Sequence, residues 1–158
     1  MTLWADASEA EAQRRFEQSR RQVLEKDELE RAVREKDFFK AASLSLKLNR
    51  PHQLRSLLQG VSANEVETLV TALVKKCDEA SLKSLLTFCV GWNSQSRSCL
   101  VAQRVIRVLL NMRDLTERVG RSRMDQFCDQ VLPYTQRHQA RFDKLIKTSY
   151  LIDHVCDV

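Results

Sequence analysis

Apolar residues recur at intervals of three and four along most of the chain. No stretch alternates with period two over a useful length, so the pattern predicts helices and no strands. The densest apolar run covers residues 82–112. Leu82, Leu85, Leu86, Phe88, Cys89, Val90 and Trp92 are followed by Leu100, Val101, Val105, Ile106, Val108, Leu109, Leu110 and Met112. Between them lies the polar segment Gly91-Trp92-Asn93-Ser94-Gln95-Ser96-Arg97, which reads as a turn. Helices apolar around so much of their circumference are expected to be buried on several sides, with the rest of the chain packed around them.

The flanking segments read as further helices. Ser8-Glu9-Ala10-Glu11 has the form of a capping box, opening a charged, sparsely apolar helix to about Glu25. In that helix Glu11–Arg15 and Glu17–Arg21 are acid-before-base pairs at i,i+4. Trp4 has no local apolar partner and is expected to dock elsewhere. From Asp27 the pattern tightens through Leu29, Ala32 and Val33 to a polar corner at Glu35-Lys36-Asp37. A strongly apolar helix from Phe38 to Leu48 follows. Asn49-Arg50-Pro51 ends it, since the residue before proline is driven out of the helical region, and Pro51 can open the next helix. Ser62-Ala63-Asn64-Glu65 is a second capping box. Asp78 is predicted to cap the helix carrying Leu82–Trp92, and Ser96 or Ser98 the next one. Residues 114–123 read as a turn and linker around Gly120, after which Met124, Phe127, Cys128, Val131 and Leu132 resume the helical stripe. Pro133 is expected to kink or restart that helix. The fold class predicted is therefore all-α, with about eight mostly antiparallel helices in an irregular bundle or short solenoid-like array. Residues 1–26 read as linker and charged N-terminal helix, and 27–158 as the helical domain proper.

Composition sharpens this reading. Three glycines and two prolines in 158 residues leave room for long uninterrupted helices. No stretch approaches the roughly 18 apolar residues that span a bilayer, and the N-terminus lacks the basic head and apolar run of a secretory signal. The five cysteines are odd in number and widely spaced, which points to reduced thiols in a cytosolic or nuclear setting, most of them small buried hydrophobes. The net charge of +5 is unevenly placed. Residues 97–147 hold 11 Lys/Arg against 5 Asp/Glu, whereas residues 1–36 hold 8 against 9. The basic half carries Arg97, Arg104, Arg107, Arg113, Arg118, Arg121, Arg123, Arg137 and Arg141 as candidate contacts to RNA or an acidic partner.

Site chemistry is not indicated. His52, His138 and His154 are isolated from any cysteine or carboxylate pair at metal-ligand spacing. There is no phosphate-cradling glycine loop, and a Cys/His nucleophilic pair would have to assemble only in space. The chain is read as non-enzymatic, with no cofactor, metal, membrane or small-molecule substrate.

Three motifs occur in order along the chain: Asn49-Arg50-Pro51; Phe88-Cys89-Val90-Gly91-Trp92-Asn93 with Ser96-Arg97; and Leu132-Pro133-Tyr134-Thr135-Gln136-Arg137-His138. With Leu3-Trp4-Ala5-Asp6 ahead of a Glu/Ala/Arg-rich helix, they resemble the C-terminal helical domain of the transducin-beta-like family. These are WD-repeat, U3 small nucleolar RNA-associated proteins of the small-subunit processome. The resemblance implies a nuclear, nucleolar scaffold in ribosomal RNA processing and small-subunit maturation. Its partners would be related WD-repeat subunits bound through their own C-terminal helical domains, with pre-ribosomal or small nucleolar RNA as a further contact. No propeller repeats are in this sequence, so the resemblance takes it as one domain beginning in the linker, with Met1 an added start. For Tyr134, Arg137 and His138 a local hydrogen-bond network is expected rather than a ligand site.

Overall fold

The computed structural model describes the backbone of residues 3–156 and side chains from residue 8 to 156. Trp4 and its neighbours in Leu3-Trp4-Ala5-Asp6 lie outside the described side chains. Among the described residues there are eight α-helices and no strand. They are α1 (Leu3–Arg34), α2 (Phe38–Lys47), α3 (Pro51–Gln59), α4 (Ala63–Lys76), α5 (Glu79–Asn93), α6 (Cys99–Asn111), α7 (Arg113–Val119) and α8 (Arg121–Cys156). No helix among the described residues is long and apolar enough to cross a membrane. The chain divides into two compact units, Met1–Leu57 and Leu58–Val158.

In the first unit α1 and α2 pair around Leu29, Ala32, Ala41 and Leu44, with Leu48 and Leu57 packed at the edge of the cluster. Lys40 of α2 reaches Glu28 of α1 at 3.5 Å, an exposed pair that contributes little. Ser8 does not cap a helix: α1 begins at Leu3 and runs past it unbroken. Nothing in residues 3–34 breaks a helix, since the segment contains no Gly or Pro, and a capping residue inside good helix formers is simply read through. Both corners of this unit are left-handed turns. At the end of α2 the Arg50 N–H donates to the Ser45 carbonyl at 2.8 Å and the Asn49 N–H to Leu46 at 3.1 Å, with Asn49 at φ 53°. That is a Schellman cap, and Asn tolerates the left-handed region better than most residues. Lys36, φ 59°, does the same after α1.

In the second unit α5 is the central element, packed against α6, α7 and α8, while α4 packs on α6 and α7. Leu82, Leu85, Leu86, Cys89 and Trp92 of α5 are buried, as are Val101, Val105, Ile106 and Leu109 of α6. The capping box at Ser62 is complete, with the Ser62 N–H on Glu65 at 2.7 Å and the Glu65 N–H on the Ser62 hydroxyl. That backbone donor holds the Glu65 carboxyl below its ordinary pKa.

The structure departs from expectation at three further places. The segment read as turn and linker is mostly helix: Arg113–Val119 forms α7, and Gly120 alone, at φ 93°, separates it from α8. Leu115 and Val119 are buried, and that burial holds the short helix in place. Gly91, Trp92 and Asn93 are the last turn of α5 rather than part of the connection, which begins at Ser94. Pro133 does not restart the helix: α8 runs through it, continuous over 36 residues. The proline loses one N–H bond and crowds the Asp129 carbonyl, a cost confined to one turn of a long helix.

Candidate functional site: the α5–α6–α8 junction and the exposed face of α8

The second and third motifs meet in space. Asn93, fully buried at the end of α5, donates through Nδ2 to the Val131 carbonyl at 3.0 Å and to Thr135 Oγ1 at 3.1 Å. Its Oδ1 accepts from Gln103 Nε2 of α6 at 2.7 Å. Gln103 Nε2 also donates to Thr135 Oγ1 at 2.9 Å, and Thr135 Oγ1 donates to Val131 at 3.0 Å. The Asn93 carbonyl, freed where α5 stops, is met by His138 Nε2 at 2.7 Å. A carbonyl only accepts, so this ring nitrogen carries the proton. Every polar atom of the Asn93 amide and the Thr135 hydroxyl is thus matched, which is what makes so polar a cluster tolerable in a core.

The connection after α5 is tied down as well. Ser98 Oγ donates to the Trp92 carbonyl at 3.0 Å, and Ser94 Oγ to Gly91 at 2.8 Å. Arg141 Nη1 donates to Ser96 Oγ at 2.8 Å. Since Gln103 meets Thr135 and Ser96 meets Arg141, α6 and α8 run in opposite directions. Trp92 is buried with its ring 6.0 Å from that of Phe88. Cys89 is wholly buried, and burial pushes its thiol pKa up, the opposite of what a nucleophile needs. Cys77 and Cys99 are buried too, but Cys128 and Cys156 are exposed, so two of the five are not the small core hydrophobes expected. Among the described residues no three His, Cys, Asp or Glu side chains gather as a metal site would require.

Arg137 lies over the Tyr134 ring at 5.6 Å. Pro51 opens α3, and Arg97 is exposed in the α5–α6 connection. Of the candidate contacts, Arg104, Arg107, Arg113, Arg121 and Arg123 are exposed. Arg118 differs: its guanidinium donates to the Val74 and Cys77 carbonyls at the end of α4. Gln103, central to the junction, went unremarked in the sequence. Its signal was a polar residue between Val101-Ala102 and Val105-Ile106.

The apolar surface is where expectation and structure part. Leu100 and Leu110 of α6, expected in the core, are exposed. In α8 the inward residues are Met124, Phe127, Val131 and His138, and residues 139–156 are exposed throughout. That stretch carries Phe142, Leu145, Ile146, Tyr150, Leu151, Ile152 and Val155, with Tyr150 at 72% exposure. Between α6 and the first half of α8 runs a groove of about 470 Å³, bounded by Gln103, Ile106, Leu110, Phe127, Leu132 and Thr135 among others. Together they leave a long apolar surface facing solvent.

Comparison with known proteins agrees with the motifs. The Utp13 specific WD40 associated domain matches residues 26–158. Transducin beta-like protein 3 of Bos taurus is 33% identical over 156 residues, covering 96% of this chain and 19% of that protein. The Homo sapiens protein of the same name is 31% identical over 149 residues, covering 94% of this chain and 18% of its own length. U3 small nucleolar RNA-associated protein 13 of Saccharomyces cerevisiae is 27% identical over 166 residues, covering 94% of this chain and 20% of that protein. The chain spans about a fifth of the length of the curated relatives it matches. The resemblance carried by its three motifs is therefore one of kinship, and the chain belongs to the family of the Utp13 specific WD40 associated domain.

Proposed function

We propose that this chain is a non-catalytic assembly domain of a nucleolar ribosome-biogenesis factor. It would join related WD-repeat subunits of the small-subunit processome through their C-terminal helical domains, in support of pre-ribosomal RNA processing. The assembly role falls to residues 27–158, with residues 1–26 as the linker and charged helix. One observation carries the reading. Residues 139–156 form a continuous helix whose apolar side chains are all exposed, next to a core junction whose polar groups are satisfied. An exposed apolar stretch of that length, carried on a helix whose first half is packed, is the kind of surface a partner covers. The U3 association named for the yeast relative supports the nucleolar setting.

The test is reconstitution. The purified chain mixed with C-terminal domains of related processome subunits should elute with one of them as a stable complex on size exclusion. Failure with every subunit overturns the reading.

Direct RNA contact is the second reading, favoured by the exposure of Arg97, Arg104, Arg107, Arg121 and Arg123. Phosphate contacts would make affinity fall steeply with salt. RNA affinity that is undetectable at low salt, or indifferent to salt, removes it.

A further inference from the structure

The α6/α8 groove and the exposed end of α8 form one surface. The groove has a buried floor of Ile106, Phe127 and Val131, and edges at Leu110 and Leu132 that are 53% and 54% exposed. Leu132 and Thr135 on its α8 wall begin a stripe that continues through Gln139, Phe142, Ile146 and Tyr150 at spacings of three and four. Residues so spaced share one helix face. At the helical rise this stripe is about 27 Å long, the length of a helix of about 18 residues. Its charges differ by wall: Arg107 stands on α6 and Asp129 on α8.

We infer that this surface receives one amphipathic helix from a partner chain, its apolar ridge lying along the groove and the exposed end of α8. Charge complementarity sets its flanks, a carboxylate toward Arg107 and an amine toward Asp129. The inference rests on the assembly reading and adds the face and the chemistry of the occupant. A helix fits where an extended strand does not, because the structure offers no sheet edge among its described residues for backbone pairing. Ridge-into-groove packing of a third helix between two others is the common way an apolar trough is closed.

The test uses the whole chain and a fluorescent helical peptide of about 18 residues with a leucine ridge, Glu on one flank and Lys on the other. Two comparison peptides carry Glu on both flanks or Lys on both. The mixed-flank peptide is expected to bind about threefold to fivefold more tightly than either comparison, the scale of one exposed ion pair lost. Leu132→Glu, and separately Leu110→Glu, should weaken it by at least about tenfold with unchanged thermal unfolding, since both side chains are solvent-facing. Absence of binding by all three peptides overturns the inference, as does full binding by Leu132→Glu. Equal binding of the three peptides overturns the assigned flanks. Sedimentation showing a dimer of this chain that Leu132→Glu dissolves would give the groove to a second copy, which also overturns it. Should the reconstituted subunit complex persist in Leu132→Glu, the groove assignment fails while the assembly reading stands. Should the peptide bind and no subunit form a complex, the assembly reading fails and the groove assignment stands.

Discussion

The two halves of α8 share a helix and little else. Up to His138 the helix buries Met124, Phe127 and Val131 and lends the Val131 carbonyl, Thr135 and His138 to a closed polar network with α5 and α6. Beyond it the helix carries more large apolar residues and buries none of them. The difference is not one of propensity or hydrophobicity. It lies in what stands opposite: α5 and α6 face the first half, and Arg141, bonded to Ser96, is the last α8 residue tied to the α5–α6 connection by a described hydrogen bond. Helical spacing marks an apolar face equally well whether its own chain or another covers it.

The sharpest way to break this contrast is to empty one half. Phe127 is buried and Phe142 is 37% exposed, on the same helix. Phe127→Ala should cost about 3–5 kcal/mol, the range for a buried aromatic, measured by urea unfolding. A loss under about 1 kcal/mol would mean the first half is no better packed than the second.

Next in size is the network. Asn93→Asp keeps the shape but turns two donors into a carboxylate oxygen facing the Val131 carbonyl and the Thr135 hydroxyl. A buried charge without compensation costs about 3 kcal/mol, and the expected loss at neutral pH is of that order. The sign with pH follows from the burial. A carboxyl that is harder to ionise in the folded state than in the unfolded one lowers stability as pH rises past the ordinary carboxylate range. Stability should therefore be partly regained on acidification, and equal destabilisation at all pH values would count against a buried, solvent-free node.

Smaller still is the hinge ahead of α8. Gly120 sits at φ 93°, ψ 143°, and a Cβ there would meet nothing within 4 Å. The penalty for Gly120→Ala is then purely that of the backbone, about 1–3 kcal/mol, read from the shift in thermal unfolding. A neutral result would show that α7 and α8 can be joined in another geometry.

What the sequence disclosed follows the same division. Capping at Ser62, the stop at Asn49 and the start at Pro51 were legible because each rests on residues within a few positions of one another. Ser8 misled for that reason: a local cap signal cannot tell that the helix already runs through it. Residues 113–119 were hidden because about two turns with only Leu115 and Val119 inward are too short to show a period. The Asn93, Gln103, Thr135 and His138 junction joins residues up to 45 positions apart, and pairing at such separation leaves no mark on spacing. Motif resemblance had gathered Asn93 and His138 without saying that they touch.

The smallest expected effect on stability tests the second half directly. Ile146 is exposed, so a charge placed there displaces no packed atom. Ile146→Glu should change unfolding free energy by no more than about 0.5 kcal/mol, as for surface positions in general. Its amides and those of neighbouring residues 145–156 should exchange with solvent faster than the amides of 127–138. Local opening is easy where few buried contacts oppose it, and hard where Phe127 and Val131 must be exposed. Mass-resolved hydrogen exchange of the free chain checks this. Adding a partner that covers the apolar stripe should slow exchange in 145–156 far more than in 127–138, and Ile146→Glu should abolish the slowing. Uniform protection along α8 in the free chain would mean the exposed half is held by something other than the surface it presents.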